Sequence, residues 1–542
     1  MKFGEFPLEE AEGALLAHGL RGDGFAFKKG RRLDRGDLDA IARSGRRSVI
    51  AARLEADDVP EDEAATALAQ AIVGEHLLVS AAFTGRANLY ATAPGVTSYD
   101  PARLDAINLV DEAITLAVLP PFATVAPRQM VATVKIIPFA APRASLDRVL
   151  TLVTAPAAFL RIAAYRPLEA ALVQTRLPGF KPSVLANTVD TTRARIAALG
   201  GALIHDEIIE HDAAAVATAL LAARARGATM LLVLGASAVV DRRDVIPAGI
   251  TAAGGIVEHF GMPVDPGNLL LFGALGTIPV IGLPGCARSP KLNGFDWVLQ
   301  RVAAGLPIGR AEIMRMGAGG LLTEIPSRPL PRQSASPAPQ PPRQPRIAAI
   351  VLAAGRSSRM APANKLLVEI DGQAMVARAV DAALRSQASG VVAVLGNDAP
   401  RVRQALAGRD ITIVENAKFA DGLSASLQIG LAALPIDIDG VLVMLGDMPR
   451  VTPTHLDRLI AAFNPVEGRS ICVPTHRAKR GNPILWDARF IAEMKGLSGD
   501  QGARSLLGAH ADQVCEVEMS DDGVLLDVDT PAALAALREQ SA

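Results

Sequence analysis

Short apolar runs alternate with helix-length amphipathic segments over two long stretches of the chain. The strand-like runs of the first stretch lie at 171–175, 202–208, 229–234 and 278–281, and its helical patterns lie at 184–199 and 213–226. In the second stretch, the strand-like runs lie at 347–352, 390–395, 411–415 and 440–445, and the helical patterns lie at 375–386, 400–406 and 421–434. Strands that alternate with helices indicate βαβ units and a parallel sheet. The pattern therefore predicts an α/β fold with two doubly wound, Rossmann-like modules.

The remaining parts of the chain break this alternation. Residues 1–165 carry a helical pattern at 9–18 and β-rich runs at 48–54 and 130–139, which together predict an α+β region. Residues 325–346 are dense in Pro, Ser and Arg, a composition that forms no core and favours a semi-rigid linker. The predicted organisation is an α+β region at 1–165, a first module at 166–324, a linker at 325–346 and a second module at 347–542.

The charge balance and the cysteines narrow the functional classes. The 542 residues include 55 Lys and Arg against 56 Asp and Glu, so the formal net charge of −1 gives no global attraction to nucleic acid or an anionic membrane. The three cysteines lack CxxC spacing, which argues against a disulfide framework and a structural zinc site. The first residues are acidic rather than signal-like, and no apolar run is long enough to span a bilayer. We expect a cytoplasmic protein without nucleic-acid or membrane partners.

The most chemically explicit stretch is LAAGRSSRMAPANK, which runs from Leu352 to Lys365. It leaves an apolar run of the kind found in strands buried on both faces of a parallel sheet, and we expect it to lead into a helix. Gly355 would adopt positive φ and let the backbone approach an anion, while Arg359 and Lys365 would supply charge. Taken alone, the same residues fit a solvated strand-to-helix turn equally well.

Two carboxylates follow farther along the second module. Asp447 lies in GDMP directly after the run 440–445, and Asp529 lies in LDVDTP. The carboxyl ends of parallel strands share one edge of a sheet, so we expect Asp447 beside the glycine loop. Mg²⁺ commonly binds one or two protein carboxylates together with substrate phosphates, and this pair fits that demand. The alternative for Asp447 is that it caps the following helix.

The order of the motifs gives the second module a family resemblance. After LAAGRSSRM come GLSASL at 422–427, GDMP at 446–449, GNPILW at 481–486, GDQGAR at 499–504 and DVDTP at 527–531. In this order they resemble the molybdenum cofactor cytidylyltransferases, within the nucleotidyltransferase superfamily. LAAG in place of LAGG, together with GLSASL, resembles the cytidylyl rather than the guanylyl branch.

The resemblance implies roles for individual residues. The catalytic residues would be Arg359, Lys365 and Asp447, and Mg²⁺ would be held by Asp447 and Asp529. The residues that bind the nucleotide, CTP, would be Leu352, Ala353, Ala354, Gly355, Arg359, Lys365, Ser424 and Ser426. The pterin side would include Asn482, Asp500 and Arg504. Helix N-capping accounts equally well for either serine, and a surface ion pair accounts equally well for Arg504.

Two turns of the first module suit a polar anionic ligand. GASAVVDRRD at 235–244 and GLPGCARSP at 282–290 both follow strand-like runs. With HFGMPVDPGNLLLFG, they resemble the molybdopterin-binding domain of molybdopterin adenylyltransferases and molybdotransferases, although Gly-Ala replaces the paired glycines and Cys286 replaces the usual Asn. The resemblance implies pterin binding by Ser237, Asp241, Gly285 and Arg288. The alternative is a doubly wound domain that has lost its ligand.

Together the two resemblances imply an enzyme of molybdenum cofactor biosynthesis. The second module would transfer CMP from CTP to the terminal phosphate of molybdopterin and release pyrophosphate, while the first module binds the pterin. Three alternatives remain open: transfer from GTP to the cofactor, transfer from CTP to a methylerythritol or sugar phosphate, and a carrier that hands finished cofactor to a molybdoenzyme. The expected partners are small-molecule substrates and, beyond them, a recipient molybdoenzyme.

Overall fold

A computed structural model describes most of the chain. The described residues are 1–154, 158–179, 181–322, 343–355, 364–499 and 502–528, together with 530, 533, 534 and 537. The predicted linker at 325–346 therefore lies outside the described residues, except for its last four positions. Among the described residues, none of the helices combines the length and the apolar character needed to cross a membrane.

The N-terminal region is α+β, as predicted. Its helices are α1 (Arg35–Arg43), α2 (Glu61–Ile72), α3 (Pro101–Asn108) and α4 (Arg143–Val153). Its strands are β1 (Lys2–Pro7), β2 (Leu15–Leu16), β3 (Leu20–Gly22), β4 (Phe25–Phe27), β5 (Ser48–Arg53), β6 (Asp58–Pro60), β7 (Leu77–Val79), β8 (Arg86–Ala91), β9 (Gly95–Ser98), β10 (Ile114–Val118), β11 (Thr124–Val125), β12 (Met130–Ile136), β13 (Ala140–Pro142) and β14 (Arg161–Ala164). These strands form small antiparallel sheets, of which the largest has the order β10-β12-β8-β7. Helices α2 and α4 pack on them around one apolar core.

The helix predicted at 9–18 is wrong. Leu8–Glu10 forms a single 3-10 turn, and β2 pairs with β5 instead of continuing a helix. Gly13 lies between the two with φ of +79°, a left-handed conformation that ends any helix there. The apolar residues of this segment therefore reach the core from a turn and a short strand.

The first module contains a six-stranded mixed sheet with helices on both faces. Its strands are β15 (Glu169–Arg176), β16 (Ala202–Glu210), β17 (Met230–Leu234), β18 (Ile256–Phe260), β19 (Leu271–Leu275) and β20 (Ile278–Leu283), in the order β16-β15-β17-β20-β19-β18. Its helices are α5 (Pro182–Ala198), α6 (Ala213–Ala225), α7 (Val245–Ala252), α8 (Gly294–Ala303) and α9 (Arg310–Met314). The first four strands in this order are parallel, whereas β19 and β18 are antiparallel additions. Helices α5 and α8 cover one face and α6 and α7 the other, so the module is doubly wound.

The second module repeats this architecture on an eight-stranded sheet. Its strands are β21 (Ile347–Ala353), β22 (Glu369–Ile370), β23 (Gln373–Ala374), β24 (Gly390–Leu395), β25 (Thr412–Glu415), β26 (Gly440–Leu445), β27 (Ile471–His476), β28 (Lys479–Arg480), β29 (Ile484–Asp487) and β30 (Val514–Glu518). Its helices are α10 (Met375–Leu384), α11 (Ala399–Ala405), α12 (Leu423–Ala432), α13 (Pro453–Ala462) and α14 (Ile491–Lys495). The sheet order is β25-β24-β21-β26-β29-β27-β28, with β30 beside β27, while β22 and β23 form a separate hairpin. Helices α10, α11 and α13 cover one face and α12 and α14 the other.

Strand β21 shows why uninterrupted apolar runs in the sequence predicted the central strands. All seven of its residues are buried, because helices cover both faces of a central parallel strand. It pairs in parallel with β24 on one side and with β26 on the other. The carboxyl ends of these strands therefore meet at one edge of the sheet, where the glycine loop and GDMP begin.

Candidate active site

A cleft of about 360 Å³ opens at this edge of the second module. Its lining residues are Leu352, Ala353, Ala354, Gly355, Lys365, Leu366, Phe419, Ala420, Gly422, Leu423, Ser426, Leu445 and Asp447. They come from the ends of β21 and β26, from the segment that follows the glycine loop, and from the start of α12. The cleft thus gathers Asp447, Lys365, the LAAG residues and Ser426, all of which the sequence analysis placed in one site.

The floor of the cleft is the turn from β21 into the glycine loop. The Gly446 amide donates to the Leu352 carbonyl at 3.0 Å, which ties GDMP to the end of β21. A Cβ at Gly446 would lie 3.2 Å from that carbonyl oxygen, so glycine permits the close approach. A Cβ at Gly355 would meet no atom of the described residues within 4 Å, and Gly355 lines the cleft.

One expectation for the loop is corrected. Gly355 is not among the residues with positive φ, so it does not supply a left-handed conformation. The helix predicted to follow the loop is α10, and the 3-10 turn Lys365–Leu367 and the β22–β23 hairpin precede it. Arg359 lies outside the described residues, and its assignment stays a prediction.

An ion pair joins Lys365 and Asp447 across 82 positions of sequence. Lys365 Nζ lies 2.5 Å from Asp447 Oδ2, and the two side chains are only 14% and 16% exposed. The Asn364 side chain accepts from the Leu366 amide at 3.1 Å, and Leu366 packs in the core, which fixes the turn that carries Lys365. Asp447 Oδ1 is buried and has no hydrogen-bond partner among the described residues. One carboxylate oxygen is therefore neutralised and the other is left to accept.

The surroundings of Asp447 bear on the predicted metal site. Thr452, and not Asp447, caps α13, so the capping alternative for Asp447 does not hold. The Val528 amide donates to the Asp447 carbonyl at 3.1 Å, which brings LDVDTP to the GDMP turn. Asp529 itself lies outside the described residues. Among those that are described, no cluster of three or more His, Cys, Asp or Glu side chains is arranged to hold a metal ion.

The N-terminus of α12 forms one wall of the cleft. Gly422 precedes the helix with φ of 108° and ψ of −179°, a conformation that is open almost only to glycine. Ser426 is buried and its Oγ accepts from the Asn416 side-chain amide at 3.0 Å. Ser424 is also buried, but it is not a lining residue, and its Oγ donates to the Gly499 carbonyl at 2.7 Å. Neither serine caps the helix, because both lie inside it.

Of the residues predicted for the pterin side of this module, the structure describes Asn482 and Arg504. Asn482 follows β28, and its backbone amide donates to the Val524 carbonyl at 3.0 Å. Arg504 is exposed and donates to the Arg480 carbonyl at 3.0 Å, so an ion pair does not explain it. Neither residue lines the cleft. Asp500 lies outside the described residues, and all three assignments stay predictions.

The predicted residues of the first module lie on a different sheet, beyond β17 and β20. Gly285 is exposed and opens the 3-10 turn Gly285–Arg288. Arg288 Nη2 donates to the Gly235 carbonyl at 3.3 Å, two residues before Ser237, and burial lowers the pKa of this guanidinium. Asp241 is exposed and pairs with Arg243 at 2.8 Å, a contact that lowers the pKa of its carboxyl group. Arg288 thus joins the turn 282–290 to the turn that carries Ser237 and Asp241, and all four pterin assignments in this module stay predictions.

Several residues of both sites were missed from the sequence. Phe419, Ala420 and Leu423 line the cleft, yet apolar residues around the start of a helix carry no recognisable signal. In the first module, His211 contacts Ser237 and Thr175. His211 directly follows one strand of the parallel sheet, and Thr175 lies near the end of another. Their position at the carboxyl edge of the sheet is the signal that would have identified them.

Comparisons with known proteins place this geometry in a family. The model of the MobA-like NTP transferase domain matches residues 349–514. Purine catabolism protein PucB of Bacillus subtilis (strain 168) is 30% identical over 203 residues, which are 35% of this chain and 94% of PucB. The chain belongs to the MobA-like NTP transferase family. Its second module is a nucleotidyltransferase domain, and the protein is a nucleotidyltransferase enzyme.

Other relatives of the MobA-like domain carry different names. Nicotine blue oxidoreductase of Paenarthrobacter nicotinovorans is 30% identical over 191 residues, which are 34% of this chain and 93% of that protein. The crystal structure of Rv0371c from Mycobacterium tuberculosis H37Rv is 31% identical, covers 36% of this chain and 98% of its own, and has a TM-score of 0.32. Residues 5–53, outside the MobA-like domain, match a domain of unknown function, DUF8806.

Proposed function

We propose that the MobA-like domain transfers CMP from CTP to the terminal phosphate of molybdopterin and releases pyrophosphate. The observation that carries this proposal is the Asp447 carboxylate in the cleft, where Oδ2 pairs with Lys365 and the buried Oδ1 has no hydrogen-bond partner among the described residues. The choice of CTP rests on LAAG and GLSASL, which resemble the cytidylyl branch of the family. The choice of molybdopterin rests on that resemblance and on the turns of the first module.

The donors at Asp447 fit a divalent cation. Its Oδ1 is a hard anionic oxygen, and Mg²⁺ prefers such oxygens; Lys365 is the other charged residue among the described residues that line the cleft. Asp447 would hold Mg²⁺ together with Asp529, the next residue in sequence after Val528, whose amide donates to the Asp447 carbonyl. When bound, Mg²⁺ would neutralise phosphate charge and help to orient the nucleotide. Substrate phosphates and water would complete its coordination, as is usual for Mg²⁺.

The chain's own residues supply the rest of the site. Nucleotidyl transfer needs positioning and charge neutralisation more than a covalent nucleophile. An oxygen of the acceptor phosphate forms a bond to the α-phosphorus of CTP, and the bond from that phosphorus to the bridging oxygen breaks to release pyrophosphate. Lys365 places a positive charge at the cleft floor beside the triphosphate. The space above Gly355 admits the phosphates against the backbone, and the start of α12 offers partial positive charge to them.

The first module would bind the pterin through two turns, with Ser237 and Asp241 on 235–244 and Gly285 and Arg288 on 282–290. Support comes from the resemblance of these turns to molybdopterin-binding domains and from the half-buried Arg288 guanidinium beside Gly235. Asn482, Asp500 and Arg504 would contact the pterin from the MobA-like domain. The protein would act in the cytoplasm and pass its product to a molybdoenzyme.

The test is pyrophosphate release by the full-length protein with Mg²⁺, molybdenum cofactor and either CTP or GTP. We expect turnover with CTP and its loss in Asp447→Asn, which keeps the shape of the side chain but removes its charge. Lys418→Met is the matched control, because Lys418 is an exposed residue near the cleft that does not line it. Turnover with GTP alone would refute the cytidylyl assignment. Turnover with a methylerythritol or sugar phosphate in place of the pterin would refute the acceptor, and bound cofactor without any turnover would indicate a carrier.

A further inference from the structure

Three polar side chains form a hydrogen-bonded chain at the carboxyl edge of the six-stranded sheet. Thr175 lies near the end of β15, His211 directly follows β16, and Ser237 lies three residues beyond β17. Thr175 Oγ1 lies 2.8 Å from His211 Nδ1, and His211 Nε2 lies 3.0 Å from Ser237 Oγ. These strands are neighbours in the order β16-β15-β17, so the topology itself aligns the chain.

The direction of the hydrogen bonds follows from Thr175. This residue is fully buried, and its Oγ1 accepts from the Ala236 amide at 2.8 Å. Its own hydroxyl hydrogen needs an acceptor, and His211 Nδ1 is the one that the described residues offer. A neutral imidazole that accepts at Nδ1 carries its hydrogen on Nε2. His211 Nε2 therefore donates to Ser237 Oγ.

This direction decides what Ser237 is able to do. In a Ser-His hydrolase the serine donates to the imidazole, which then removes its proton. Here the imidazole donates instead, so His211 is no base for Ser237. The serine hydroxyl keeps its own hydrogen for a partner beyond these three side chains, and Ser237 is exposed at the turn. Ser237 is thus set as a donor and needs a ligand that accepts.

The charges around the turn favour an anion as that ligand. Arg288 Nη2 donates to the Gly235 carbonyl at 3.3 Å, so its guanidinium reaches the turn that carries Ser237. The carboxylates nearest to the turn in sequence are engaged: Asp241 pairs with Arg243, and Asp244 accepts from the amides of Val240 and Val245. Those that flank His211 are engaged as well, because Glu210 pairs with Arg176 and Asp212 caps α6. A phosphate group accepts hydrogen bonds from a hydroxyl and from a guanidinium at once.

We propose that Thr175 and His211 are positioning residues, which hold the Ser237 hydroxyl as a hydrogen-bond donor to the phosphate group of a phosphomonoester ligand. This inference rests on the proposed function in that the terminal phosphate of molybdopterin would be the group bound. It adds to that function a chain of two buried or half-buried residues, Thr175 and His211, that do not themselves touch the ligand.

The first test determines which ring nitrogen of His211 carries hydrogen in the full-length protein. Long-range ¹H–¹⁵N NMR of histidine-labelled protein reports this, and His211→Gln assigns the resonances by their loss. We expect the Nε2–H form. The Nδ1–H form would mean that Ser237 donates to the imidazole, and it would overturn the proposal. Labelling of Ser237 by a fluorophosphonate would overturn it as well.

The second test titrates inorganic phosphate and follows the ring resonances of His211, so that binding at this turn is separated from binding in the MobA-like domain. We expect a phosphate-dependent shift, with affinity about 3- to 10-fold weaker in Ser237→Ala and in Thr175→Val, because each removes the equivalent of one hydrogen bond. The variant that combines both should bind no more weakly than Ser237→Ala alone, because Thr175 acts only through Ser237. Thr175→Ser keeps the hydroxyl and should bind as the wild type does.

Other outcomes of this titration overturn the proposal. They are the absence of a shift in the wild type, additive losses in the combined variant, and equal losses in Thr175→Ser and Thr175→Val, which would reflect packing alone. Neither test uses a nucleotide. Failure of CMP transfer would therefore refute the proposed function while leaving the hydrogen-bonded chain intact. Failure of these two tests with CMP transfer intact would refute the hydrogen-bonded chain and leave the proposed function standing.

Discussion

Lys365→Met should destabilise the MobA-like domain by about 3 kcal/mol, because it leaves the Asp447 carboxylate buried without its charged partner. The two side chains are 14% and 16% exposed, and Nζ and Oδ2 are 2.5 Å apart, so both charges are largely removed from water. Loss of one member of such a pair costs about 3–5 kcal/mol, and we take the lower end because some water still reaches both groups. Asp447 Oδ1 already lacks a partner, so no neighbour among the described residues compensates.

The assay is guanidinium unfolding followed by the fluorescence of Trp486, which is fully buried in the MobA-like domain. The other tryptophan, Trp297, belongs to the first module and is removed by Trp297→Phe in every sample. Lys418→Met serves as control, since its lysine is exposed and its replacement should change stability by less than about 0.5 kcal/mol.

Lys365→Met combined with Asp447→Asn should recover about 2 kcal/mol of the loss, because no charge is then left unpaired. Mg²⁺ should stabilise Lys365→Met but not the combined variant, because only the first keeps the carboxylate. If Lys365→Met behaves as Lys418→Met does, or if the losses of the two single variants simply add, the reasoning about a buried pair is wrong.

Three further outcomes are expected. Gly355→Ala should leave the melting temperature unchanged but weaken nucleotide binding on the order of tenfold in a calorimetric titration, because its methyl group enters cleft space that the described residues leave open. A large drop in melting temperature would contradict this. Gly422→Ala should cost about 1–3 kcal/mol of unfolding free energy at φ of 108°, whereas Gly508→Ala, at φ of −67° and with no atom near its Cβ, should cost less than half as much. Burial, followed by the nearby Asp62 charge, raises the pKa of Glu61 from 4.5 to about 7 in the folded protein. The folded state therefore binds this proton more tightly than the unfolded state does. The free energy of unfolding should fall by at most about 3 kcal/mol as the pH rises from 4.5 to about 7. Glu61→Gln should remove that fall in unfolding experiments across this pH range, and identical pH profiles would refute the assignment.

Local pattern alone was enough for the elements of the two modules. The apolar runs at 390–395 and 440–445 coincide with β24 and β26, because strands covered on both faces exclude polar residues over their whole length. The same reasoning put the glycine loop and Asp447 at one edge, since carboxyl ends of parallel strands meet there. The prediction from local pattern failed at 9–18, because the left-handed conformation of Gly13 is incompatible with the helix that the apolar spacing predicted.

The sequence pattern identified which residues end the parallel strands, and with them the edge where we expect a ligand to bind. How those residues pair depends on the tertiary structure. Lys365 meets Asp447 across 82 positions, and Ser424 is engaged by Gly499 across 75, while Ser426 lines the cleft. Likewise, β16, β15 and β17 had to become neighbours before Thr175, His211 and Ser237 joined into one chain. These contacts depend on strand order and on the antiparallel additions at the sheet edges, and hydrophobic spacing along the chain specifies neither.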